Sequence, residues 1–363
     1  MRAASAALTP LADALAGLLG LAGPAAPRAV PLVGAAGRIA ADDVLAPGDL
    51  PAGLTALRDG YAVEAAQLGG ASPYAPVLLP RDPAWVEAGD RLPAGADAVL
   101  PAEGLEGRAA VAEVGAGEGV RMAGDDLAQG DRLLRAGQRS EPRHLLALAA
   151  AGIREVAIRE PRLRLIVTGA PEPDALAPML TGLIVQAGGR SETVAAPDDP
   201  AAIARALAAE GTDAVFVLGG TGFGRSDRSA EGLARAGRIL AHGLALRPGE
   251  TAGLGEVGGR PILLVPGRPD AALAAFRALG RPLIAALAGA AEPALRTARL
   301  RRKVTSTVGL AEIVFVRAQG REIEPLGGAD LPLRRLIEAD GAVLVPPERE
   351  GYPAGSEVEV VPL

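Results

Sequence analysis

The chain has 363 residues, 49% of them hydrophobic but only 2% aromatic, and a formal net charge of −6. That length exceeds what one core usually supports, so roughly two to four domains are expected. The acidic balance and scarce rings exclude a nucleic-acid surface, and the lack of cysteine, with only His144 and His242, excludes disulfides, thiolate chemistry and histidine-rich metal sites.

The apolar N-terminal stretch superficially resembles an export leader, but Asp13 interrupts it. Thr9-Pro10 is a helix start, and Leu11, Leu15, Leu18 and Leu19 then share one face. A cytoplasmic protein is expected, and no run reaches the roughly 18 uncharged apolar residues of a membrane span. Residues 28–63 hold short apolar runs and turns ending in "LRDGYAV", and 72–137 are rich in Gly and Pro around strand-like pieces, which predicts a β-rich module. "EPRHLLALAAAGIREVAI" (141–158) reads as a helix stopped by Gly152 and then a strand.

From residue 161 strands and helices alternate, which predicts a parallel sheet wrapped by helices. Strands are expected at "LRLIVTGA", "SETVAAP", "DAVFVLGG" and "RPILLVPG". Helices are expected at 175–187, after the Asp199 cap and Pro200, at "AEGLARAG" and at "DAALAAFRALGRPLIAAL". Residues 297–363, opening on "RTARLRRK", read as short strands of a small barrel or sandwich.

"DAVFVLGGTGFGRSD" (213–227) runs from a buried strand into four glycines and ends on an acid. A hairpin needs one or two glycines; a loop whose backbone N–H groups must approach an anion needs several. Ligands of open α/β sheets bind beyond the carboxyl ends of strands. "PDDP" (197–200) and "VPGRP" (265–269) also follow strands, so all three loops are expected on one rim.

In these motifs, and in "DGYAV" (59–63), "LPAGADAVLPAEG" (92–104), "VRMAGDDLAQGDRLLRAG" (120–137), "ALRPG" (245–249) and "AGSEVEVVPL" (354–363), the chain resembles the MoeA/gephyrin E-domain family, the molybdopterin molybdenumtransferases. The resemblance spans nearly the whole sequence. It implies an elongated homodimer with a helix-containing linker domain (1–53 and 137–160), a β-rich arm (54–136), an α/β molybdopterin-binding domain (161–293) and a C-terminal β-barrel (294–363). The implied activity is insertion of molybdate into adenylated molybdopterin with release of AMP, in molybdenum cofactor biosynthesis, with Mg²⁺ as cofactor and a client molybdoenzyme as a further partner.

Residue by residue, the resemblance makes Asp59 and Asp126 acidic residues facing the cleft from the arm, Asp59 from the partner subunit. Asp199, or its neighbour Asp198, and Asp227 become the carboxylates near Mg²⁺ and the pterin. Gly219, Gly220, Thr221 and Gly222 form the phosphate loop, Pro266 and Pro269 shape the molybdate pocket beside Arg268, and Arg247 stands where the family has a lysine. The sequence departs from the family at Ala88 (for Thr), Pro171 (for the catalytic Glu, with Glu172 one residue on), Gly243, Glu250 and Arg268 (for Asn). The loop "GGTGFGRSDRS" looks more like that of the molybdopterin adenylyltransferases. Ordinary roles stay open beside these: a turn for Asp59, solvated loops for Asp126 and Asp131, caps for Asp199 and Asp227. The alternative function is a protein that binds or delivers molybdopterin without hydrolysis.

Overall fold

The computed structural model describes residues 8–169, 174–222, 224, 227–291 and 295–363. Its central sheet has six strands in the order Arg190–Ala196, Arg162–Thr168, Ala214–Leu218, Arg260–Val265, Gly253–Val257, Arg238–His242. The first four are parallel, as the alternation predicts; Gly253–Val257 runs against both neighbours. Arg238–His242 therefore points the same way as the parallel strands, and its end joins their rim.

The apolar runs of the inner strands are continuous because both faces of the sheet are covered there, whereas the edge strand Arg190–Ala196 is mostly exposed. Side chains alternate along a strand, so Ala214, Phe216 and Leu218 enter one buried cluster while Val215 and Val217 enter the other. Leu163, Leu165, Leu263 and Val265 follow the first set, and Ile166, Ile262 and Leu264 the second. Helices Pro200–Ala208 and Ser229–Ala236 cover the second face; Leu176–Ala187 and the long helix from Pro269 to Ala288 cover the first. The latter is long and apolar enough to cross a membrane by length and composition alone, yet it is the core helix of this layer.

That helix is not uniform. Phe276–Gly280 forms a π turn, with the Arg281 N–H bonding the Phe276 carbonyl. Pro282 supplies the cause: it has no N–H for the Ala278 carbonyl, and its ring crowds that carbonyl, so the helix widens ahead of it.

The N-terminal helix Leu11–Leu19 buries Ala14 and Leu18 in the first-face cluster, away from the linker core of Val30, Leu148, Val156 and Ile158. Thr9 ties it there, donating to the Gly243 carbonyl at 3.0 Å and accepting from the Ala245 N–H at 2.8 Å. The arm has its own two cores, built wholly from residues 54–120, with Tyr61 edge-on to Trp85 at 5.1 Å. The C-terminal strands close into a barrel of Ala311–Gln319, Glu322–Gly327, Arg296–Leu300, Glu357–Pro362 and Gly341–Val345. Its Ile313, Phe315, Leu336 and Ala342 belong to the same buried cluster as the α/β domain, and the short strand Leu246–Arg247 pairs in parallel with the barrel's Ala311–Gln319.

Candidate functional site

The three loops do converge on one rim. The Gly219 N–H donates to the Val265 carbonyl at 3.1 Å, a Cβ placed on Gly267 would stand 3.7 Å from the Gly219 Cα, and one placed on Gly169 would stand 3.5 Å from the Asp198 carboxylate. A side chain at Gly219 would stand 2.8 Å from the Thr168 carbonyl, so the close approach of two strand ends requires glycine there.

Buried hydroxyls hold the glycine turn. Ser229 Oγ donates to the Gly219 carbonyl at 2.7 Å, and the Ser229 N–H to the Gly220 carbonyl at 3.0 Å. Thr168 Oγ1, 3.5 Å from Ser229 Oγ, bonds the Leu218 carbonyl at 3.2 Å. His242, at the end of its strand, reaches the Thr221 carbonyl with Nε2 at 2.9 Å, so that nitrogen carries the proton. Thr221 is 2% exposed, and its hydroxyl is 3.5 Å from that of Thr251.

With the carbonyls thus occupied, the N–H groups of Gly220, Thr221 and Gly222 have no acceptor among the described residues. Three successive unpaired N–H groups at a strand end form an anion-binding concavity. Asp227 closes the loop: Oδ2 accepts from the Gly224 N–H at 2.7 Å, and a side chain added at either Gly222 or Gly224 would meet that oxygen at 2.7 Å.

The other expected residues are placed as follows. Asp199 caps its helix, accepting from the Ala202 N–H at 2.8 Å, which leaves Asp198 as the carboxylate beside Gly169. Arg247 pairs through its backbone with the barrel strand, while its side chain makes no hydrogen bond or ion pair among the described residues; it stands four positions before the Thr251 that touches the loop. Pro266 is buried after its strand, and Pro269 occupies the first turn of its helix. Arg268, expected among the residues of the molybdate pocket, pairs with Asp270 at 2.6 Å and with Asp330 of the C-terminal region at 2.8 Å, its side chain half exposed. On the arm, exposed Asp59 accepts from the Ala88 N–H at 2.8 Å, and exposed Asp126 pairs with Arg121 at 2.8 Å. No hydrogen bond or ion pair among the described residues joins 54–120 to the α/β domain. Pro171 and Glu172 lie outside the described residues.

Sequence reading passed over Thr168, Ser229 and His242. Ser229 opens a helix, the one sign that could have found it; the other two are set by sheet order.

Burial pushes the Asp270 carboxyl up, but the Arg268 hydrogen bond and the Ala271 N–H outweigh it and hold the group below the ordinary aspartate value. Its stabilisation is therefore present above the unfolded-state pKa of roughly 3.9 and is lost as pH falls through the lower folded value. Removing one partner of a buried pair costs about 3–5 kcal/mol. Arg268 is half exposed, so Arg268→Met is expected to cost about 2 kcal/mol at pH 7. Urea midpoints should show the deficit shrinking near pH 3; a deficit independent of pH would mean Asp270 is not its source.

Family models match the chain in three consecutive blocks. These are the "MoeA N-terminal region (domain I and II)" at 9–152, the "Probable molybdopterin binding domain" at 164–286 and the "MoeA C-terminal region (domain IV)" at 297–363. The chain is 30% identical over 383 residues to molybdopterin molybdenumtransferase 2 of Mycobacterium tuberculosis, covering 92% of itself and 94% of that protein. It is 29% identical to a putative molybdopterin biosynthesis protein of Methanocaldococcus jannaschii, covering 91% of each. Among solved structures it resembles a molybdopterin biosynthesis MoeA protein of Pyrococcus horikoshii, with TM-score 0.80, 28% identity and coverage of 98% and 99%.

Proposed function

The chain belongs to the MoeA family, and from that membership we propose that it inserts molybdate into molybdopterin, with release of AMP when the pterin arrives adenylated. The observation that carries this reading is the row of unpaired N–H groups at Gly220, Thr221 and Gly222, which suits a pyrophosphate. Arg247, whose side chain has no hydrogen bond or ion pair among the described residues, would supply positive charge for the dianionic metal oxyanion or the substrate phosphate. Pro266 and Pro269 fix the neighbouring turn.

The described residues include no group of three or more His, Asp or Glu side chains able to hold a cation. The donor set fits a Mg²⁺ held by one or two carboxylates and completed by substrate phosphates, the common mode for this ion. Asp227, with Asp198 or Asp199, would hold it. When bound, it polarises phosphorus and neutralises the leaving phosphate. In hydrolysis, water adds across the phosphoanhydride: one phosphorus takes the hydroxyl, the other oxygen takes the proton, and AMP departs.

We further propose that the protein works as a cytoplasmic C2 homodimer in which the partner's arm brings Asp59 and Asp126 to the rim. The separate cores of the arm and its lack of polar contacts with the α/β domain support this. Light scattering is expected to give twice the 36.4 kDa chain mass at micromolar concentration; a monomer would remove both aspartates from the site. The finished cofactor would pass to a client molybdoenzyme.

Two placements favour the second reading, a non-hydrolytic carrier. Ala88 puts no hydroxyl beside Asp59, and the Arg268 charge is already shared between Asp270 and Asp330. The deciding experiment supplies adenylated molybdopterin and molybdate, with Mg²⁺ or with chelator, and measures AMP by chromatography. Mg²⁺-dependent AMP is expected; tight binding without AMP under any divalent metal would establish the carrier.

A further inference from the structure

A cavity of about 520 Å³ opens between the linker domain and the first-face helices of the α/β domain, away from the rim. Arg135 and Arg139 line it from the loop after Arg132–Leu134, and Arg277 and Arg281 from the long helix. At about 1.5 Å per residue from Pro269, the last two lie roughly 12 and 18 Å along that helix from the rim.

The four guanidinium groups form no ion pair among the described residues, and Pro362 and Leu363 complete the wall from the barrel side. Arg277 and Arg281 make no side-chain hydrogen bond or ion pair among the described residues, and the Arg277 Nε is buried without a partner. Arg139 donates only to the Gly37 carbonyl, at 2.5 Å. Burial, and then the Arg281 charge, bring the Arg277 guanidinium down to about 10, and burial also lowers Arg139 and Arg281. Such a cluster opposes folding unless something negative enters it. The π turn at Phe276–Gly280 is where Arg277 sits, and it ends at Arg281, so a helix irregularity shapes this wall; such turns recur at functional sites. Gly137 keeps the opposing wall close: the Ala291 N–H bonds its carbonyl at 2.9 Å, and a side chain on Gly137 would strike the Gly289 carbonyl at 2.7 Å.

We propose that this arginine cavity is a second anion site, separate from the rim, that binds a multiply charged ligand of the phosphate class. Guanidinium forks match phosphate oxygens in pairs, and Gln186 on the wall can hydrogen-bond a neutral remainder. The volume is that of a small-molecule site. The inference does not rest on the reading of the rim.

Inorganic pyrophosphate is the probe, titrated calorimetrically into the full-length protein against sodium chloride of equal ionic strength. Saturable binding and a rise of a few degrees in Tm are expected. Arg277→Met should weaken pyrophosphate binding at least tenfold while leaving the ligand-free Tm equal or higher, because it removes an unpaired part-buried charge. Arg281→Gln should weaken binding likewise without depending on the same substitution. Gly222→Val, on the rim, should leave this site's affinity unchanged. Absence of binding at millimolar pyrophosphate, or binding lost in Gly222→Val and retained in both arginine variants, would overturn the proposal.

Discussion

Asp227→Asn is expected to lower AMP release on the order of a hundredfold or more, as loss of a metal-orienting group commonly does. The substitution keeps size and shape. It retains an oxygen that can accept from Gly224, so the loop can keep its turn. What disappears is a negative charge beside the glycine loop and, on the proposed reading, a ligand for a cation on the pyrophosphate. In a carrier the same change removes repulsion from a polyanion and should leave binding equal or tighter. Measuring AMP release and substrate affinity together separates the cases: turnover lost with affinity kept supports hydrolysis, and unchanged turnover would exclude Asp227 from the chemistry. Gly222→Val attacks the same place sterically. Its Cβ would meet the Asp227 oxygen at 2.7 Å, so pterin affinity should fall at least tenfold.

Phe216→Ala is expected to destabilise the α/β domain by about 3–5 kcal/mol, the usual cost of emptying a buried phenylalanine site. Phe216 is fully buried and lies edge-on to Phe276, with ring centroids 6.4 Å apart at 74°. Gly280 leaves room for that ring: a side chain there would come within 3.3 Å of it and 2.9 Å of Phe276. Backbone glycine and aromatic pair thus depend on each other, and little nearby can collapse into the void. The sole tryptophan, Trp85, sits on the arm. Circular dichroism should therefore show an earlier transition while Trp85 fluorescence moves little. A loss below about 1 kcal/mol would mean the site relaxes around the gap.

The parallel core was legible because its inner strands, Ala214–Leu218 above all, are buried on both faces and read as apolar runs; the exposed edge strand Arg190–Ala196 was read from the alternation with helices. Gly253–Val257 was not. Its glycines carry no β-branched signal, and they are there because side chains would strike the Ala241 carbonyl at 3.0 Å and the Arg238 carbonyl at 2.2 Å. The Asp199–Pro200 helix start was read from its cap, and the cap is where the carboxylate went. The glycine loop was found from composition alone. Its clamps were not, since Thr168 and Ser229 meet across 61 positions of chain. Arg268 looked like a pocket residue beside two prolines; its partner Asp330 comes from the distant barrel, and no local pattern announces it.

The shared burial of Ile313 and Phe315 with Phe276 and Leu283 makes the last two sequence modules one mechanical body. A gene cut near residue 295 would seem to fall at a natural joint, yet it would strip the wall from the α/β interior and bare a greasy scar. It would also take away the edge on which Leu246–Arg247 is seated, leaving that short strand on a loose cord. Exchange of this barrel between relatives should therefore succeed only when the facing helix travels with it.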